Sequence, residues 1–256
     1  PEPEPQRQSE PQSQPATKNS RSPTPGLADP ELVRTGLTGS AVLWQSILVG
    51  SFALALYCHD RKSLNGAWIL DDKGTITMNP VVRGETPWDQ VWARDFWGHD
   101  QLASEESHKS WRPLCTASYR LNYQLAGHSG EPFWFHVVDR FLHALTSALA
   151  LPVAALCLAS RSQNEDARAT SLSFCGPIVV AALFASHPIH VEAVANTTGR
   201  AEVLCALFYF AGFLAYAVHG AAVPLSSSRA CAMNTTPTAI RGTAAVGAML
   251  FFCWCS

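Results

Sequence analysis

The chain has 256 residues, a formal net charge of −2, 47% hydrophobic residues and 15% charged ones. That balance provides neither a basic stripe with interleaved aromatics for nucleic acid nor an excess of charge that would draw in a polyanion. A mean hydropathy near zero conceals an uneven distribution: charge gathers before residue 40 and between Asp60 and Arg140, while apolar runs fill much of the rest, which excludes a wholly soluble domain and predicts an all-α, polytopic membrane helix bundle.

Pro1–Leu27 is rich in Pro, Glu, Gln and Ser and almost free of large apolar residues. It cannot bury enough surface to offset its ordering entropy, so residues 1–40 are expected to form a disordered tail. The first apolar run, Ala41–Cys58, lacks the short apolar core and small-residue cleavage site of a signal peptide and reads as a retained signal anchor. Lys18, Arg21 and Arg34 precede it, and the positive-inside tendency puts the N-terminus in the cytosol. On that orientation residues 59–132 form a lumenal segment, Ser160–Thr170 a cytosolic loop, His187–Arg200 a lumenal turn and Gly220–Arg241 a second cytosolic loop. A chain that starts at Pro1 and stops at Ser256 inside an apolar run reads as a truncated piece.

Within the lumenal segment, Trp68-Ile69-Leu70, Trp88 to Trp92 and Phe96-Trp97 predict short helices lying along the bilayer surface. Trp111–Leu125 carries apolar residues near a helical repeat and predicts an amphipathic helix. The bundle then occupies residues 133–256. Its second span, Phe133–Leu158, places His136, Asp139, Arg140 and His143 at i, i+3, i+4 and i+7, on one face. Such a stripe must face the bundle interior or a water-filled cavity. A third span runs from Ser171 to Ala185 and on towards Ala195, a fourth covers Ala201–Val218, and a fifth fills 242–256. Of the eight cysteines, Cys157, Cys175, Cys205, Cys253 and Cys255 fall in apolar segments and act as small hydrophobes, and spacing does not support a disulfide between Cys58 and Cys115.

Three groups of residues can carry chemistry. The adjacent carboxylates Asp71 and Asp72 follow the first span: one can serve as a general base while the other orients it, although the same pair also suits a solvated turn or a helix cap. Lys109 and Arg112 can neutralise a phosphate or reach lipid headgroups. Between the third and fourth spans, His187, His190, Glu192, Arg200 and Glu202 bring ionisable groups to a hydrocarbon boundary, where they cost several kcal/mol unless they pair, face water or hold a ligand. Two histidines three apart around Pro188 make a poor metal set, so no metal is expected and the imidazoles are expected to orient Glu192. The same turn contains the glycosylation sequon Asn196-Thr197-Thr198. No phosphate-cradling glycine loop, zinc spacing or nucleophile elbow is present.

In order along the chain, Leu70-Asp71-Asp72, Asp95-Phe96-Trp97-Gly98, Ser107 to Leu114, Arg120-Leu121-Asn122-Tyr123, Leu183 to Val194 and Gly199 to Leu204 closely resemble the N-terminal membrane region of the transmembrane and tetratricopeptide-repeat-containing (TMTC) family. The resemblance runs from about Asp71 to Tyr216. It implies a C-type glycosyltransferase fold in the endoplasmic reticulum membrane, and transfer of mannose from dolichyl-phosphate mannose to Ser or Thr of proteins, cadherins among them. No cofactor is implied beyond that donor substrate, and metal dependence stays open. The family's acidic motif falls on Asp71-Asp72, one of which would be the base. Arg200 first, then Lys109 and Arg112, are nominated to support the phosphate, with His187, His190, Glu192 and Glu202 lining the opposite wall. The partners implied are the bilayer, the lipid-linked donor and a protein acceptor. Relatives continue into further spans and a tetratricopeptide array, which this chain does not reach, so a noncatalytic scaffold or an inactive remnant is the alternative. A transporter finds little support, since paired broken helices and an internal repeat are lacking.

Overall fold

The computed structural model describes residues 39–161 and 169–222; the expected disordered tail and the fifth span lie outside them. Helix α1, Gly39–Cys58, carries no charge along 20 residues, about 30 Å of rise and enough to cross a bilayer. It buries only Val42, Gln45, Val49 and Ala53, a stripe at helical spacing, and leaves Leu43, Trp44, Ile47 and Leu48 outside. At Gly50 a methyl group would lie 3.2 Å from the Ala144 carbonyl oxygen and 3.3 Å from the Ala148 side chain, so the glycine lets two backbones approach.

Those alanines belong to α5, the axis of the molecule. The polar segment before it carries α2, Arg61–Leu64, capped by the Asp60 carboxylate; a π-helical turn, Lys73–Thr77; α3, Gln90–Ala93; and α4, Pro113–Leu125, with proline in its first turn where no intrahelical N–H is needed. Helix α5 then runs 30 residues, Pro132–Arg161, and packs against α1 and against the two helices that follow, α6, Ala169–Ser186, and α8, Arg200–Ala222. Val42, Val49, Ala53, Ala144, Leu151, Ala155, Ala181 and Ala185 form the shared core. Gly39–Cys58, Pro132–Leu158 and Thr197–Val218 are long and apolar enough to cross a membrane. The protein is thus an all-α membrane helix bundle, with no strand among the described residues and only one isolated bridge, Arg94 to Gln101.

The third expected span is divided. Pro188 has no N–H to donate and disfavours helical geometry at the preceding residue, so α6 stops at Ser186 and a turn leads into the separate α7, His190–Ala195. Asn196 ends α7, and its side chain accepts from the Thr198 amide to start a 3-10 turn, Thr197–Gly199, that delivers the chain into α8.

The polar segment folds over the end of the bundle. Phe96, expected on an interfacial helix, is instead 2% exposed and packs with Ile76, Val82, Cys115, Tyr119, Phe135, Ala201 and Leu204. Buried Asn79 organises this layer: its Nδ2 donates to the Thr75 and Phe96 carbonyls, and its Oδ1 accepts from the Val81 and Val82 amides. Asp95 joins two of the sequence blocks by accepting from Ser107 Oγ at 3.1 Å and from the Gly98 amide at 3.0 Å. Cys58 and Cys115 are both free thiols.

Candidate active site

The acidic pair sits on a tight turn that its own second member closes. The Asp72 amide donates to the Ile69 carbonyl at 3.0 Å, while Asp72 Oδ2 accepts from the Ile69 amide at 3.4 Å. Leu70 between them takes φ +45° and stays 83% exposed; that left-handed backbone costs a non-glycine residue about 1 kcal/mol. Asp72 itself is fully buried. Its Oδ1 accepts from the Thr198 amide at 3.0 Å and from Thr198 Oγ1 at 2.7 Å, a link across 126 residues of sequence.

Asp71 is placed differently. Its side chain is exposed, while its backbone carbonyl accepts from the Thr75 amide at 2.9 Å and from Thr75 Oγ1 at 2.8 Å. One carboxylate is therefore committed to internal hydrogen bonds, and its neighbour is open to a proton donor arriving from outside, on a backbone held on both sides. The Thr75 and Thr198 hydroxyls lie 3.4 Å apart and join the two halves of the turn.

Arg200 lies beneath this turn, fully buried and away from open space. Its Nε pairs with Asp139 Oδ1 at 2.5 Å; its terminal nitrogens donate to Asn122 Oδ1, the Phe135 carbonyl and Ser118 Oγ; and its guanidinium lies 4.7 Å from the Tyr119 ring centre. The residue nominated first for phosphate is thus placed as a buried lock between α4, α5 and α8. Tyr119 completes the lock by donating its hydroxyl to the Thr197 carbonyl at 2.7 Å. Burial holds that phenol well above its ordinary pKa, so the donor keeps its proton, and burial likewise pushes the Cys115 thiol up to about 11.

Lys109 is also engaged elsewhere: its Nζ donates to the Leu102 and Ser104 carbonyls. Arg112 differs. It occupies the position just before α4 without a side-chain capping bond, rests 5.0 Å from the Phe96 ring centre, and lines an open groove of about 440 Å³ with Ala201, Glu202, Cys205, Ala206, Tyr209 and Phe210. A cation and a carboxylate thus share the head of a groove whose floor is the apolar flank of α8. Glu202 follows Thr198, the residue that holds Asp72, by four positions in sequence.

The histidines do not reach Glu192. His187 is exposed and its Nδ1 accepts from the Ile189 amide at 3.2 Å. His190 packs its ring 4.5 Å from Phe184 and 5.3 Å from His143; burial first, then the neighbouring His187, pushes its pKa below the ordinary imidazole value. Glu192 is exposed, and no hydrogen bond or ion pair joins it to either imidazole among the described residues. No cluster of metal-ligating side chains occurs among them either. Of the residues that position the turn, Thr75 and Tyr119 carry no signal in the sequence, and Thr198 stands out there only as the last residue of the sequon. Hydroxyl groups give no periodic signal, and only the fold brings residues 75, 119 and 198 to one place.

No family model matches the chain, and no solved structure gives a match. Curated relatives do. The chain is 38% identical to the human protein O-mannosyl-transferase TMTC4 over 173 residues, 68% of this chain and 23% of that protein. To Tmtc2 of Drosophila melanogaster it is 37% identical over 188 residues, 73% of this chain and 18% of the relative. To mouse TMTC1 it is 42% identical over 173 residues, 67% of this chain and 16% of the relative. The chain therefore spans about a fifth of the length of these relatives.

Proposed function

Over its matched residues the chain belongs to the TMTC family, whose curated members are named protein O-mannosyl-transferases, and from that premise we propose that it transfers mannose from dolichyl-phosphate mannose to Ser or Thr hydroxyls of secretory-pathway proteins in the endoplasmic reticulum membrane. The observation that supports the reading is the exposed Asp71 carboxylate on a turn clamped by Thr75 and Thr198. Asp71 is the general base: it takes the proton from the acceptor hydroxyl as that oxygen bonds to mannose C1. The bond from C1 to the phosphate oxygen breaks, the anomeric centre inverts, and dolichyl phosphate leaves as an anion. Arg112 faces that anion with a planar cation, while Glu202 shares the groove head and Asp72 holds the base in place. Lys109, Arg200, His187, His190 and Glu192 act on this reading through the walls of the site.

The experiment is single-turnover mannosyl transfer in microsomes with Asp71→Asn and Asp72→Asn. Asp71→Asn is expected to lower transfer by about 100-fold to 10,000-fold, the usual contribution of a positioned base, at unchanged protein level. Wild-type rates in the Asp71→Asn protein would sink the assignment.

A further inference from the structure

The residue that decides where the acidic turn sits belongs to neither the acidic pair nor the basic residues around it. We infer that Thr198 is a positioning residue for transfer: its amide and hydroxyl hold the Asp72 carboxylate and thereby fix the direction in which Asp71 is presented. Three observations converge on it. Asp72 is a fully buried carboxylate that no ion pair reaches among the described residues, so its oxygens are met by N–H and O–H dipoles, and Thr198 supplies the two shortest, at 2.7 and 3.0 Å. Thr198 stands on a 3-10 turn that cannot drift, because the Tyr119 hydroxyl binds the Thr197 carbonyl and Arg200, two residues on, is locked to Asp139. The turn is also fixed in packing. A methyl at Gly199 would lie 2.7 Å from Ala193 Cα, closer than real side-chain atoms approach backbone.

The acid turn, by contrast, is closed within itself only by the two bonds between Ile69 and Asp72. Leu70 is strained and exposed, and Ile69 is half exposed. Its fixed points are Thr75, which takes the Asp71 carbonyl, and Thr198, which takes Asp72, and the two threonine hydroxyls lie within reach of each other. Losing the Thr198 hydroxyl leaves a buried carboxylate short of a donor, and the cheapest relief is for the turn to swing outward towards water. A displacement of about 1 Å in a catalytic group is enough to lower a rate by about 100-fold.

The catalytic consequence rests on the transferase reading, and the test separates the two. In the full chain in membranes, Thr198→Val removes the hydroxyl at nearly constant volume, Thr198→Ser keeps it, and Asn196→Ser removes the glycosylation sequon while leaving a capping oxygen. Hydrogen exchange of residues 69–77 is expected to rise in Thr198→Val and to return to the wild-type level in Thr198→Ser. In the transfer assay kcat is expected to fall by about tenfold to 100-fold in Thr198→Val with both KM values within about twofold of wild type, since the loss is confined to the transition state. Thr198→Ser restores kcat, and Asn196→Ser leaves it unchanged. Exchange that stays at the wild-type level in Thr198→Val, a serine variant as impaired as the valine one, or normal kcat beside faster exchange each overturns the inference. A wild-type chain that transfers nothing, or an active Asp71→Asn protein, instead removes the transferase reading, and the exchange measurement still decides whether Thr198 places the turn.

Discussion

Gly98 and Gly127 ask the same thing of the backbone and differ in everything else. Both have φ near +70°, where a side chain is strained. A methyl on Gly127 meets nothing within 4 Å, whereas one on Gly98 would fall 2.0 Å from Asn79 Oδ1, the oxygen that accepts from the Val81 and Val82 amides. Gly127→Ala should therefore cost about 1 kcal/mol, the left-handed penalty alone. Gly98→Ala should cost about 1 kcal/mol more for each buried hydrogen bond that Asn79 loses, about 3 kcal/mol or more in total. Thermal unfolding in detergent would check the pair, and equal losses would show that Asn79 does not hold the layer together. At this scale the sequence was partly legible. The blocks around Asp71, Gly98 and Arg112 stood out as motifs, but nothing in them announced that Asn79 sits opposite Gly98, because that juxtaposition is made by the fold.

At the scale of elements, periodicity did most of the work. The stripe on α5 could be read from its 3.6-residue spacing, and His136, Asp139, Arg140 and His143 are all buried. The partner of Asp139 could not be read, because Arg200 lies 61 residues away, at the start of another helix. That pair should behave as a buried lock. Arg200→Met or Asp139→Leu alone leaves an uncompensated charge and should destabilise the bundle by about 3 to 5 kcal/mol, whereas the double variant should recover most of the loss. Melting midpoints of the four proteins test this, and additive losses in the double variant would show that the two residues do not act as a pair. The division of the third apolar run was legible in Pro188, but the strong hydropathy on both sides outweighed one proline in a window average. Of the interfacial segments expected from tryptophan and phenylalanine, the one at Trp88 to Trp92 forms the short helix α3 with both tryptophans exposed, whereas Phe96 went to the core, because aromatic residues mark a bilayer surface and a packed core equally well.

For the molecule as a whole, the apolar exterior is the informative surface. Trp44, Leu48, Phe141, Leu183 and Tyr209 are each at least half exposed, an arrangement that water would penalise and that lipid or further helices would accept. The basic residues ahead of α1 predict that the polar segment is lumenal, the side that the proposed transfer needs. In sealed microsomes, added protease should remove an N-terminal tag and leave residues 59–131 intact until detergent is supplied. Cleavage in the exposed stretch Gln101–Lys109 before detergent would reverse the orientation and exclude a lumenal site. Fold class and the first, second and fourth apolar spans were legible from hydropathy because lipid imposes a length on every crossing helix. The arrangement of the polar segment was not, because it is held by single hydrogen bonds between residues distant in sequence.

The bond between Asp72 and Thr198 also sets a schedule. A ribosome adding about 5 to 20 residues per second needs about 6 to 25 seconds to travel from one residue to the other, and Asp72 lacks its two Thr198 donors throughout that interval. During synthesis Asp71 is therefore an ordinary mobile side chain in a nascent loop, and it becomes a fixed one only when the start of α8 has left the translocon.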